Sequence, residues 1–252
     1  LERAVVRSAD RTIFVERPVG EDFRERLGVD AGYVPNGWDP DLERDAASAG
    51  PPALETRELT LVHTGKLSGD WGRHPGHLFD ALRRMCAEDP VVAQRLQLVL
   101  AGRLDHEEER LIQRAGLEDV VRHVGMLSRA QAMALQRTAD VLVLVTSPTL
   151  VWELPGKVFE YFGARRPILA LAQGNETARL IEETGTGWTV PPEDVEAIMA
   201  RLKAMLAGGA TLEYDDARLE PYVFPAPAEA LQAEIERAIA LRASQTGRRA
   251  TA

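Results

Sequence analysis

The run Val141-Leu142-Val143-Leu144-Val145 is apolar at every position, and Leu96-Gln97-Leu98-Val99-Leu100 at all but one. A strand with one face in water alternates apolar and polar residues, so consecutive apolar positions require cover on both faces. The runs are short for helices and rich in branched residues, and they read as strands of a parallel sheet held between helices. Shorter runs at 11–15, 59–63, 120–124, 168–171 and 187–190 continue the series. Amphipathic stretches separate them. Leu78, Leu82 and Met85 share a face over 76–87, and Leu111, Ile112 and Ala115 share one over 107–115. Ser128 is placed to cap a helix over 128–136, and Pro155 opens another over 156–164. Helical spacing recurs over 176–183, 193–206 and about 226–240. The alternation predicts an α/β fold with a doubly wound parallel sheet.

The organisation is uneven. Residues 1–37 give a helix fragment, a strand, a helix and a short strand, and read as the remnant of a preceding domain. Residues 38–58 are polar and rich in Pro, Ala and Asp, and read as a linker. The main domain is expected over 59–206, a C-terminal segment with a helix over 207–243, and a disordered tail over 244–252. The chain opens in what reads as mid-domain sequence, which implies that a companion N-terminal domain is missing. A net charge of −9 argues against nonspecific contact with nucleic acid or an anionic membrane surface. Cys86 is the single cysteine, excludes an intrachain disulfide, and reads as a packing residue. No stretch has the length of a membrane span, and together these features point to the cytoplasm.

Chemistry concentrates after the 59–63 run. Gly65, Gly69, Gly72 and Gly76 alternate with Lys66, Arg73 and His74 before a helix begins. Glycines admit a ligand close to the backbone, and a helix N-terminus attracts phosphate. The Gly-Lys-Ser/Thr ending of a Walker loop is missing. Gly174, Asn175 and Glu176 follow another strand and open a helix; Asn175 serves as its cap or turns backbone N–H groups toward phosphate or sugar. His74 and His77 sit about one helical turn apart with no third ligand at suitable spacing, so no metal site is expected.

The order of segments carries a resemblance. Ala9-Asp10 with the run after it, then Val34-Pro35-Asn36-Gly37-Trp38-Asp39, resembles the segment closing the first domain of GT-B glycosyltransferases of family 4. Val62-His63-Thr64-Gly65-Lys66-Leu67 resembles that family's first strand and glycine turn. Leu98-Val99-Leu100-Ala101-Gly102-Arg103 resembles its strand ending in Ala-Gly. The segments 121–127 and 138–144 follow in the family's order. Leu154-Pro155-Gly156-Lys157-Val158-Phe159-Glu160-Tyr161 resembles its Pro-x-Lys-x-x-Glu-Tyr motif, and Arg166-Pro167-Ile168-Leu169 comes after it. The resemblance extends over about 9–206.

It implies a C-terminal domain that binds a nucleotide diphosphate sugar and transfers the sugar with retention to an acceptor held by the other domain. Lys66 and Arg73 would hold the diphosphate, Lys157 would join the donor site, and Glu160 would take the ribose hydroxyls. Gly125, Met126 and Leu127 would form the base platform through backbone groups. The pattern departs at the first motif acid, where the family spacing falls on Trp152; Glu153 is one residue late and is the candidate catalytic acid. No Asp-x-Asp lies in the loops after the main-domain strands that should form the cleft, so metal-free donor binding and no cofactor are expected. Nucleotide-sugar 2-epimerases share the two-domain plan, and a non-catalytic sugar- or nucleotide-binding module is the other rival. Transfer needs both domains, so the chain alone is expected to be inactive.

Overall fold

The computed structural model describes residues 2–46, 49–69 and 71–250. The N-terminal segment runs α1 (Glu2–Ser8), β1 (Thr12–Phe14), α2 (Arg17–Leu27), β2 (Ala31–Tyr33) and α3 (Pro40–Ala46). The main domain runs β3 (Leu59–Thr64), α4 (Gly76–Glu88), α5 (Val92–Arg95), β4 (Leu96–Ala101), α6 (His106–Ala115), β5 (Val121–Gly125), α7 (Arg129–Thr138) and β6 (Val141–Val145). It continues with α8 (Lys157–Ala164), β7 (Ile168–Leu171), α9 (Glu176–Thr184), β8 (Gly187–Val190) and α10 (Val195–Ala204). The C-terminal segment carries α11 (Asp216–Leu219) and α12 (Ala226–Ala250).

β3 to β8 form a six-stranded sheet, parallel throughout, in the order β5-β4-β3-β6-β7-β8. The order reverses between β3 and β6, which opens a crevice beyond the carboxyl ends of these strands. Both faces are covered, as the uninterrupted apolar runs require. Leu61, Leu98, Val143 and Leu169 point into one core with Leu78, Leu82, Ile198 and Leu202. Their neighbours Val62, Val99, Leu142 and Ala170 point into the other, with Leu135, Phe159, Phe162 and Ile181.

The N-terminal segment forms its own sheet of β1 and β2, paired in parallel. Two devices bind it to the C-terminus. Arg11 donates to Glu234 of α12 at 2.6 Å, with both side chains nearly covered. That hydrogen bond is the main cause holding the Glu234 carboxyl below its ordinary range. The turn at Asn36-Gly37 is stitched to the approach to α12: Trp38 N donates to Tyr222 O at 2.9 Å, and Phe224 N to Trp38 O at 3.0 Å.

Two expectations are corrected. The span 38–58 is not wholly a linker, because α3 forms within it, with the Asp39 side chain accepting from Asp41 N at 2.9 Å. With Leu42 as its one large apolar residue, α3 carries no periodic signal, and it is held by packing on α7. Ala47 and Ser48 lie outside the described residues. The span 244–252 is not a disordered tail as far as Ala250, because α12 continues through it. Thr251 and Ala252 lie outside the described residues.

The Asn-Gly turn has a packing reason for its glycine. A Cβ on Gly37 would lie 2.4 Å from the Tyr222 carbonyl oxygen and 2.8 Å from Pro227 Cγ. Gly37→Ala should therefore lower the unfolding free energy by about 1–3 kcal/mol, as overpacking does. Urea denaturation followed by circular dichroism measures it, and an unchanged midpoint would show that the turn moves aside without cost.

Candidate active site

The crevice is built from loops that two glycines bring into contact. β3 ends at Thr64 and turns at Gly65, whose φ of +91° favours glycine. β4 ends at Ala101 and turns at Gly102, with φ +134°. Gly65 N donates to Ala101 O at 2.6 Å, and a Cβ on Gly102 would lie 2.6 Å from the Gly65 carbonyl oxygen. A Cβ on Gly65 would meet Lys157 Cε at 2.6 Å. The first side chain of α8 thus lies across the glycine turn.

Lys157 is half-buried and makes no hydrogen bond or ion pair with the described residues. Desolvation, and after it the charge of Arg73, lowers its pKa; Glu160 opposes the shift. Glu160 stands one turn along α8 and also lacks an ion-pair partner among the described residues. Tyr161 behind it fixes the helix to the sheet: its hydroxyl accepts from Thr64 N at 3.2 Å and donates to Val143 O at 3.4 Å. Burial pushes that phenol up to about 12.

Thr64, Gly65, Gly102, Leu127, Lys157 and Glu160 line a cavity of about 350 Å³. A second cavity, of about 670 Å³, shares Gly65, Gly102 and Met126 with it and adds Lys66, Arg103 and Asp105. Lys66 is exposed at the glycine turn. Gly125 closes β5 with φ +76°, and Met126 beyond it is 76% exposed. A third cavity, of about 400 Å³, reaches from Glu160 and Arg129 to the hinge residues Asn36, Trp38 and Asp39. The crevice therefore offers ammonium groups and a carboxylate without ion-pair partners among the described residues, with glycine-rich backbone, at the carboxyl ends of the strands.

The comparisons with known proteins meet this geometry. The family described as "Glycosyl transferases group 1" matches residues 58–208. The chain belongs to this glycosyltransferase family. The chain is 31% identical, over 186 residues, to the phosphatidyl-myo-inositol mannosyltransferase of Mycobacterium leprae (strain TN), covering 72% of this chain and 46% of that protein. The chain thus spans about half the length of that curated relative. Among solved structures, the α,α-trehalose 6-phosphate synthase from Burkholderia multivorans matches with a TM-score of 0.66 at 18% identity, over 97% of this chain and 62% of that one. The lipopolysaccharide outer core galactosyltransferase WaaB matches with a TM-score of 0.65 at 17% identity, over 90% and 62%. These likenesses show the GT-B type of α/β fold.

Within this glycosyltransferase fold, the residues expected from sequence divide into two groups. Gly65, Lys66, Met126, Leu127, Lys157 and Glu160 line the adjoining cavities. Arg73 stands behind them, donating to Ser68 O at 3.1 Å and to Glu153 Oε1 at 3.5 Å, with its Nε buried and without a hydrogen-bond partner among the described residues. Glu153 is anchored in turn. Its other carboxylate oxygen accepts from Ser147 N, and its carbonyl accepts from Thr177 N at 3.2 Å and Thr177 Oγ1 at 2.6 Å.

Contrary to the expectation from sequence, the first N–H groups of α9 are not free. Glu176 N donates to Val151 O at 2.9 Å, Thr177 N to Glu153 O, and Ala178 N to Asn175 Oδ1 at 2.9 Å. The loop after β6 folds back and its carbonyls occupy the start of α9. The Asn175 amide also donates to Thr146 Oγ1 at 2.9 Å, and the buried Glu176 carboxylate pairs with Arg179. Only Gly174, at φ +61°, is exposed. Sequence reading missed Thr64, Gly102, Arg103 and Arg129 as lining residues; Gly102 was legible, since a glycine directly after a buried strand marks a close approach.

Asn175 is spent on the fold at both ends of its amide. Asn175→Ala should cost about 0.5–2 kcal/mol of stability, as loss of an N-cap does, and leave nucleotide affinity unchanged. Paired thermal melts and binding titrations check this; weakened binding at unchanged stability would return Asn175 to the ligand site.

Proposed function

We propose that the chain is the donor-binding half of a retaining GT-B glycosyltransferase of the family 4 type. The observation that carries the reading is the half-buried Lys157 lying across Gly65, with Glu160 one turn away, neither having an ion-pair partner among the described residues. The diphosphate of a nucleotide sugar lies against Gly65, Lys66 and Lys157, where the glycine turn admits phosphate oxygens to the backbone. Arg73 supports it from behind. Negative charge grows on the leaving diphosphate as the glycosidic bond breaks, and these cations are set where it grows. Glu160 accepts the ribose hydroxyls, and the backbone of Gly125-Met126-Leu127 meets the base.

Glu153 is assigned a positioning role. Its carboxylate is shared between Ser147 N and Arg73, so it holds Arg73 rather than the sugar. Donor binding needs no metal in this scheme, because side-chain cations supply the counter-charge. Residues 1–37 belong to a companion N-terminal domain that presents the acceptor, and transfer requires it. This view draws support from the match to under half of the mycobacterial mannosyltransferase. Neither the epimerase nor the non-catalytic reading gains from the family match.

The test is calorimetry of the chain with UDP, GDP, dTDP and ADP, with and without EDTA. One of these should bind at millimolar concentration or below, equally well in EDTA. Lys157→Ala should weaken it far more than the bare nucleoside, and the loss should shrink with added salt. Glu160→Ala should cost about 1.5–3 kcal/mol of binding, as for hydrogen bonds to a charged group. Binding to none of the four would remove the donor assignment, and abolition by EDTA would hand the diphosphate to a metal. The purified chain should transfer no sugar; robust turnover would refute the need for the companion domain.

A further inference from the structure

His63 has two carbonyls to serve and, as a neutral ring, one proton to serve them with. It lies on β3 directly before the glycine turn and is 3% exposed. Nδ1 is 2.9 Å from Val143 O on β6, and Nε2 is 3.2 Å from Lys66 O in the turn. Both partners only accept. Whichever nitrogen carries the hydrogen, the other turns a lone pair toward a carbonyl. The two carbonyls are not equivalent, because the Tyr161 hydroxyl also donates to Val143 O. An imidazolium would satisfy both at once.

The surroundings oppose that second proton. Burial, then the charge of Lys157 from α8, holds the ring down to about 4, with Arg73 from the loop adding to it. Other charged or titratable groups nearby are Tyr161 and Glu160 on α8, Glu153 behind Arg73, and Glu108 on α6, which accepts from Ser68 N at 2.8 Å. An anion settling on Lys157 and Arg73 would cancel the field that keeps the ring neutral.

We propose that His63 is a positioning residue for the glycine turn and that an anion bound at Lys157 and Arg73 favours its second proton in mildly acid solution, so that the Lys66 carbonyl gains its hydrogen bond there as the ligand arrives. This rests on the diphosphate reading above. No bond of the ligand is made or broken. The bound ring holds more protons than the free ring, so affinity rises as pH falls, over the window from the bound-state midpoint down to the free-state midpoint near 4.

The experiment is ring-selective NMR of the histidines in the whole chain, titrated alone and with UDP-glucose or GDP-mannose, whose phosphate diesters do not titrate in this window. The His63 midpoint should rise by about one pH unit or more on saturation, as expected for a group that loses a cationic neighbour field. Affinity should improve about twofold between about pH 7 and pH 5, and this dependence should vanish in His63→Gln, whose amide does not titrate in this range. A purely structural role would weaken binding in His63→Gln and leave the pH dependence intact, which overturns the inference. Lys157→Met gives a second arm that keeps His63 in place: the midpoint in the free chain should rise without any ligand, and an unmoved midpoint contradicts the coupling. Donor binding, seen as shifts at Gly65 and Gly102, with an unmoved His63 overturns this inference and leaves the donor site standing. No shift with either sugar nucleotide overturns both.

Discussion

Gly65 is enclosed on both sides, with the Lys157 side chain over it and Gly102 against its carbonyl. That close approach sets the width of the crevice. Any side chain at Gly65 would displace Lys157, and any at Gly102 would part the ends of β3 and β4. Because the strand order reverses beside β3, the loops from β3 and β4 run to one side and those from β6 and β7 to the other. Lys157 and Glu160, delivered by the helix after β6, then face the turns after β3 and β4 across the gap. Tyr161 makes the arrangement rigid by joining α8 to both β3 and β6.

A second layer holds the loops themselves. Glu153 links Ser147, Arg73 and Thr177, and Trp71 O accepts from the Ser147 and Thr149 hydroxyls. The loop after β3 and the loop after β6 are therefore one hydrogen-bonded body, and α9 is capped by it. This explains why α9 contributes packing and not free N–H groups. The same network gives Glu153 a role that does not require the family spacing of its motif.

Much of this was legible in the sequence. The strands β4 and β6 were legible because their continuous apolar runs are too short for helices and rich in branched residues. Lys157 and Glu160 were singled out because their segment resembles the family's Pro-x-Lys-x-x-Glu-Tyr motif, and the structure puts both on the first turn of α8, lining the crevice. The end of α12 and the short α3 were not legible, since neither owes its helix to an apolar stripe. The role of Asn175 stayed open because a cap and a ligand contact use the same residue type at the same place. The decisive fact, that the loop after β6 folds back onto α9, is a long-range contact without a local signature. The paired carbonyls around His63 were hidden in part for the same reason, since the one from β6 is eighty residues away in sequence.

The central claim is that anionic phosphate meets the chain at Gly65 and Lys157. A crystal structure of the chain with the nucleoside diphosphate it binds best tests this most directly. The account predicts phosphate oxygens within hydrogen-bonding distance, about 3 Å, of Lys157 Nζ and the backbone after β3, with the ribose on Glu160. Phosphate seated at the start of α9, or held by a metal ion away from Lys157, would contradict it.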